Sequence, residues 1–248
     1  MRIISVSNQK GGVAKTSTAA AIAQGAVRRG RKALCVDLDP QGSLTYICRA
    51  DGAQRGSYDL LKGADAAQLI QHIPTMPDVI PAGLQLAGAD SELANRPGRD
   101  FLLQAGLKPV KGYDLIVIDT PPTLGTLLVN SLTAATEVII PLQADTFAVQ
   151  SIYQLIETIR QVQKYCNPGL TIRGAFLTKY SPRTVLSRDL REAVAGKCAA
   201  LGVPFLNAAI REGVAIKEAQ TMQANLFAYA PRSNPAKDYE SLLDELEV

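Results

Sequence analysis

A short apolar run, "RIISVS" at 2–7, leads directly into "NQKGGVAKTST" at 8–18 and then into the alanine-rich "AAAIAQGAVRR". This order constrains the fold more than any other feature of the chain. The apolar run reads as a buried strand, the glycines as a tight turn and 16–29 as a helix. A helix opening straight from a glycine turn presents unpaired backbone N–H groups at its positive end, and these suit an anion. Gly11, Gly12, Val13, Ala14, Lys15 and Thr16 reproduce the last part of the phosphate-loop pattern G-x-x-x-x-G-K-[ST]. In that pattern Lys15 reaches the β- and γ-phosphates, Thr16 holds Mg²⁺ and the backbone as far as Ser17 cradles the phosphates. Two departures stand out. Asn8 to Lys10 replace the usual first glycine, and Ala14 replaces the glycine before the lysine. The loop also carries a second lysine, Lys10, where one cation suffices to neutralise a phosphate.

Apolar runs and helical patterns alternate along the rest of the chain. "KALCVDLD" (32–39), "YDLIVIDT" (113–120), "EVIIPLQ" (137–143), "TIRGAFLTKY" (171–180) and "VPFLNAAI" (203–210) read as strands. Helical periodicity fits 146–164, 187–201 and 236–246. Continuously apolar strands separated by helices predict an α/β fold, a mostly parallel twisted sheet with helices on both faces, and the loop motif after the first strand makes that fold P-loop NTPase-like. The stretch 50–112, rich in Gly, Pro and Ala, is expected to form short helices and one strand near 78–82. No repeat or linker interrupts the chain, so 1–248 is expected to be a single domain. Cys35, Cys48, Cys166 and Cys198 are scattered without a CxxC pair, which argues against disulfides and zinc and fits a reducing compartment. No signal-peptide layout is present, and no apolar run approaches the roughly 18 residues of a membrane span. A net charge of +3 leaves any nucleic-acid binding to a local patch. His72, the only histidine, falls in the irregular region and is expected to be structural.

Three carboxylates end strands. Asp119 closes "LIVIDT" and would emerge at the carboxyl edge of a parallel sheet, where ligands bind. There it would hold Mg²⁺ and read the γ-phosphate through 120–125. Asp37 and Asp39, two apart at another strand end, share a face.

The variant KGGxxK[ST], Lys10 to Thr16, resembles the deviant Walker A motif of the ParA/MinD family of ATPases. "VDLDPQGSLT" (36–45), "YDLIVIDTPPTLG" (113–125), "PLQADTFAVQSI" (141–152) and "FLTKYSPRTVLSRDL" (176–190) resemble further family segments in the same order, leaving 50–110 as the weakest part. The resemblance implies ATP and Mg²⁺, and slow hydrolysis that a partner stimulates. It implies a homodimer sandwiching two ATP molecules, with Lys10 reaching the other subunit's nucleotide. Asp39 would align the attacking water, and Asp37 would support the metal site or the loop. Thr16, Asp37 and Asp119 are thus the expected metal residues; Lys10, Lys15 and Asp39 are the expected catalytic ones.

Within the family, an Fe–S role would need cysteines after the Walker motifs, and none stands at a plausible spacing. The membrane-associated branch ends in a basic amphipathic helix, whereas this chain ends in the acidic "KDYESLLDELEV", which an anionic membrane would repel. That favours the DNA-partition branch: non-specific DNA, a ParB-like centromere-binding partner, and a cytoplasmic, nucleoid-associated protein. The alternative is a MinD-like ATPase that positions a protein cargo without DNA. The loop begins within ten residues of Met1, which leaves no room for a helix-turn-helix extension, so the small ParA/Soj type without operator binding is expected. The segment 173–191 carries Arg173, Lys179, Arg183, Arg188 and Arg191, and Arg211 and Lys217 follow. Of these, Arg183, Arg188, Arg191, Arg211 and Lys217 are the candidate contacts to the phosphate backbone of DNA. Many family members have a Pro-Arg step where this chain has Ile210-Arg211, and a further arginine near Ala215.

Overall fold

The structure is a computed structural model that describes residues 1–143, 148–181 and 185–248. Among them, seven strands form one sheet: β1 (Arg2–Val6), β2 (Ala33–Asp37), β3 (Asp78–Ile80), β4 (Leu115–Asp119), β5 (Glu137–Gln143), β6 (Thr171–Tyr180) and β7 (Phe205–Arg211). Their order is β3-β2-β4-β1-β5-β6-β7 and every pairing is parallel. The helices are α1 (Lys15–Arg28), α2 (Ser43–Ile47), α3 (Ser57–Leu61), α4 (Ala89–Leu93), α5 (Leu102–Leu107), α6 (Thr126–Ala134), α7 (Ala148–Tyr165), α8 (Val185–Ala200), α9 (Val214–Thr221), α10 (Leu226–Tyr229) and α11 (Asn234–Leu246).

Both faces of the sheet are covered, which is why β2 and β4 are buried along their whole length. Alternation along a strand divides the side chains between the faces. Cys35 and Val117 join Ile4, Val6 and residues of α1 and α11 in one core; Leu34, Val36, Ile116 and Ile118 join α3, α5 and α6 in another. A third core packs α7 and α8 on β5 and β6. β7 is an edge strand, and α11 blunts it. The Glu245 carboxylate accepts from the backbone N–H groups of Asn207 and Ala208, and Asp238 accepts from that of Arg211.

The strands expected at 32–39 and 113–120 are shorter at both ends, at Ala33–Asp37 and Leu115–Asp119, with Leu38 N–H to Asp119 C=O as a last bond between them beyond Asp37. The last helix starts at Asn234, two residues before the expected 236, because the Ser233 side chain accepts from Ala236 N–H and Pro235 sits in the first turn. In 50–112 the expected strand is β3, and α3, α4 and α5 are the short helices. Helix α6 lies where no helix was expected. Seven of its nine residues are buried, so it carries no polar stripe to mark a helical period. Parallel register sets the frame for the site: Val6 lies abreast of Asp119, and Asp119 abreast of Asp37. The loop after β1 and both aspartates therefore meet at one carboxyl edge.

Candidate functional site: a phosphate loop at the carboxyl edge

The loop leaves β1, turns at Gly12 (φ 76°) and enters α1 through Ala14, whose φ of 63° is also left-handed. Alanine rarely adopts that conformation, and it survives where the surroundings enforce it. They do so here from two strands. Asn8 Nδ2 donates to Pro141 C=O on β5 at 2.8 Å, and its Oδ1 accepts from Lys10 N–H at 2.9 Å. Thr178 Oγ1 on β6 donates to Val13 C=O at 3.1 Å. Asn8, one residue before the position of the pattern's first glycine, thus ties the loop down. No side chain caps the start of α1, which leaves the N–H groups of its first turn to a ligand. The positions where Gly11 and Gly12 would carry a β-carbon face open space.

Lys15 is 7% exposed, and its ammonium donates to Lys10 C=O at 3.2 Å. Burial lowers its pKa, and the charges of Asp119 and Asp39 pull the other way. Lys10 itself sits half-buried. The two lysines therefore differ in burial, Lys15 inside the site and Lys10 only half-buried.

Asp119 is fully buried, and among the described residues neither of its carboxylate oxygens has a hydrogen-bond partner. Burial raises its pKa well above the usual carboxylate range, and the charge of Asp37 adds to this. The Thr16 hydroxyl and Lys15 lie beside it and oppose the shift without closing a hydrogen bond. A buried carboxylate without partners is costly unless something cationic completes it. Among the described residues no group of three or more His, Cys, Asp or Glu side chains could hold a metal. The donor set instead suits Mg²⁺, which takes one or two protein oxygens and completes its shell with water and phosphate. Thr16 and Asp119 fit that requirement.

Asp37, expected to support the metal site or the loop, has both carboxylate oxygens hydrogen-bonded within the protein. Its Oδ1 accepts from Asp39 N–H at 3.0 Å, and its Oδ2 accepts from Thr45 N–H at 2.8 Å and from Thr45 Oγ1 at 2.7 Å. Burial raises its pKa to about 6, against the pull of the Thr45 and Asp39 hydrogen bonds. These bonds make it a strut for the turn that carries Asp39. Asp39 is half-buried, close enough for its charge to act on Lys15, and its Oδ1 accepts from Gln41 N–H.

A cavity of about 340 Å³ opens beside the loop, walled by Ile47 of α2, Thr178 of β6, Ile210 of β7 and Ile216 and Gln220 of α9. Gln220 Nε2 also donates to Ser17 Oγ at 2.8 Å. Gly12, Ala14, Lys15, Thr16 and Ser17 also line the cavity, whereas Ile47, Thr178, Ile210, Ile216 and Gln220 were not candidates from the sequence, because they come from four separate elements. The candidate DNA contacts divide, and Arg211 and Lys217 line the same cavity as the phosphate loop. Arg183 lies outside the described residues. Arg188 on α8 and Lys217 on α9 are exposed. The Arg191 guanidinium stacks over Phe205 and Tyr180 and donates to Asn207 C=O, and that of Arg211 forks onto Asp238. His72 pairs with Asp78, which also accepts from the Tyr113 hydroxyl, far from the loop at the start of β3. Among the described residues no helix is long and apolar enough to cross a membrane.

The chain matches the AAA domain family over residues 1–172. It is 38% identical to the sporulation initiation inhibitor protein Soj of Bacillus subtilis, covering 99% of this chain and 98% of that one. It is 35% identical to the chromosome-partitioning ATPase Soj of Thermus thermophilus, covering 99% and 95%. A solved structure from Mycobacterium smegmatis, described as cobyrinic acid a,c-diamide synthase with a bound ATP analogue and magnesium, superposes with a TM-score of 0.88 at 36% identity, covering 100% of this chain and 94% of that one. The chain belongs to the AAA domain family, and within it to the Soj/ParA group of P-loop ATPases.

Proposed function

We propose that this chain is a DNA-partition ATPase. Two subunits close around two ATP molecules, the closed dimer holds DNA without reading its sequence, and a ParB-like centromere-binding partner stimulates hydrolysis and release on the nucleoid. The observation that carries this reading is the open mouth of the loop. A β-carbon on Gly11 or Gly12 would meet no described atom within 4 Å, and the adjoining Lys10 is half-buried while Lys15 is buried. A mouth of this kind suits completion by a second copy. The partition names of the relatives and the ATP analogue and magnesium of the M. smegmatis structure support the same assignment.

In hydrolysis, water attacks the γ-phosphorus in line and the bond to the β-γ bridging oxygen breaks. Lys15 and the N–H groups at the start of α1 bind the phosphates and receive the developing charge. Asp39, braced by Asp37, orients the water. Thr16 and Asp119 would hold Mg²⁺, which when bound neutralises charge on the phosphate oxygens. Lys10 supplies a cation to the partner's site. Arg188 and Lys217 would contribute phosphate contacts to DNA.

A mixing experiment tests the dimer. Lys10→Ala and Asp39→Ala are each expected to be inactive. In a mixed dimer, one site takes Asp39 from the Lys10→Ala subunit and its trans lysine from the Asp39→Ala subunit, so partner-stimulated hydrolysis returns. Mixed dimers without activity would place Lys10 in its own site or in none. Retention on random-sequence DNA with ATP and not with ADP supports the DNA half of the proposal. Dimerisation without retention favours the positioning of a protein cargo.

A further inference from the structure

The segment 120–125 links Asp119 to α6, and it is held at both ends. At its start, Thr120 Oγ1 donates to Val6 C=O at 2.9 Å. At its end, α6 begins at Gly125 with no side-chain cap of its own. The missing acceptor comes from 37 residues earlier in the chain: Asp90 Oδ1, on α4, accepts from Leu127 N–H at 3.2 Å. Gly125 fits this arrangement, because a β-carbon there would overlap the Asp90 carboxylate. Its backbone is extended, so the demand for glycine comes from the neighbour and not from strain. Between the two anchors, Pro121 and Pro122 stiffen the path while Pro122, Thr123 and Leu124 stay exposed.

We propose that Asp90 is a positioning residue for hydrolysis. It caps α6 and thereby fixes the far end of the segment that begins at Asp119. This rests on the hydrolysis reading above, and it assigns a task to the stretch 50–110, where the sequence resemblance is weakest. With the cap in place, a displacement of Asp119 or Thr120 by nucleotide is carried along a short, proline-stiffened tether. Without it, the first turn of α6 frays and the tether goes slack. The role requires an oxygen acceptor at position 90 and not a negative charge.

Four variants test this: Asp90→Ala, Asp90→Asn, Gly125→Ala and the double Asp90→Ala/Gly125→Ala. Two readouts are taken on the full chain, kcat and KM for ATP, and amide hydrogen exchange of peptides spanning 120–129 in the nucleotide-free protein. Asp90→Ala is expected to speed exchange in the first turn of α6 about fivefold to tenfold, the fold-change matching a lost N-cap. Its kcat should fall by about the same factor with KM within roughly twofold, because phosphate binding is left to Lys15 and the loop. Asp90→Asn should stay close to the native protein in both readouts, since its amide oxygen accepts the same bond. Gly125→Ala should resemble Asp90→Ala, and should cost less in the Asp90→Ala background, where the added methyl has room. Native exchange and native kcat in Asp90→Ala would overturn the proposal. So would equal impairment of Asp90→Ala and Asp90→Asn, or faster exchange throughout the sheet. A native protein that does not hydrolyse ATP overturns the hydrolysis reading and with it the positioning role, while exchange at α6 still decides whether Asp90 is the cap.

Discussion

Replacing Asp119 by asparagine should stabilise the nucleotide-free protein while removing its activity. Asp119 is fully buried with no hydrogen-bond partner on either oxygen among the described residues, and its pKa is raised first by that burial and then by the charge of Asp37. The sign follows from proton uptake. An unfolded aspartate titrates near pH 3.9, and the folded one titrates higher, so between the two values the folded state binds more protons. Stability therefore falls as pH rises through that window, and the loss is complete above the folded pKa. Asp37 adds to the same limb, with its pKa raised from 3.8 to about 6. That shift is worth about 3 kcal/mol at neutral pH. Asparagine keeps the shape and carries no charge at any pH, and the Thr16 hydroxyl beside it can accept from its amide. Relieving a buried polar group that lacks a partner recovers about 1–3 kcal/mol. At roughly 2–4 °C per kcal/mol for a chain of this size, melting should rise by about 2–12 °C near pH 7.5. The two proteins should converge towards about pH 4, where the native carboxyl is protonated. Adding Mg²⁺ and ATP should reverse the order, because ligand at about a hundred times its Kd stabilises the native protein by about 2.7 kcal/mol and the variant lacks the metal-dependent part. Scanning calorimetry across pH, with and without ligand, reads all of this. An Asp119→Asn protein that melts at or below the native temperature across the whole pH range would refute the reasoning, since the carboxylate would then be satisfied in the folded state.

Two further substitutions separate binding from bracing. Lys15→Ala should weaken ATP binding by about a hundredfold, the cost of a charge-assisted contact to phosphate, as read by titration calorimetry; near-native affinity would remove Lys15 from the site. Thr45→Val removes the hydroxyl that donates to Asp37 at 2.7 Å and accepts from Ala82 N–H at 2.8 Å, both buried. It should cost about 2–4 kcal/mol in denaturant unfolding, while Thr45→Ser, which keeps the hydroxyl, should cost far less.

The parts of this protein that were legible in its sequence are those whose physics is local. An apolar strand, a glycine turn and a helix start lie within residues 2 to 28, so the loop with Lys15 and Thr16 could be placed from adjacent residues alone. The strands of the sheet were visible because burial on both faces leaves a continuous apolar run, and Asp119 was visible because it ends one. Tertiary structure decided whatever depends on a partner distant in the chain. Asp37 and Asp119 are both acids at the ends of neighbouring strands, yet Thr45 and Asp39 N–H satisfy the first, while no hydrogen bond among the described residues satisfies the second. Arg191 and Arg211 read as surface cations until Phe205, Tyr180 and Asp238 are found against them. The cap of α6 comes from Asp90, and the cavity beside the loop is walled from α2, β6, β7 and α9. Backbone propensity and hydrophobic period are properties of neighbouring residues. Which donor meets which acceptor is set by the order in which strands enter the sheet, and β1 lies between β4 and β5 because of packing over the whole chain.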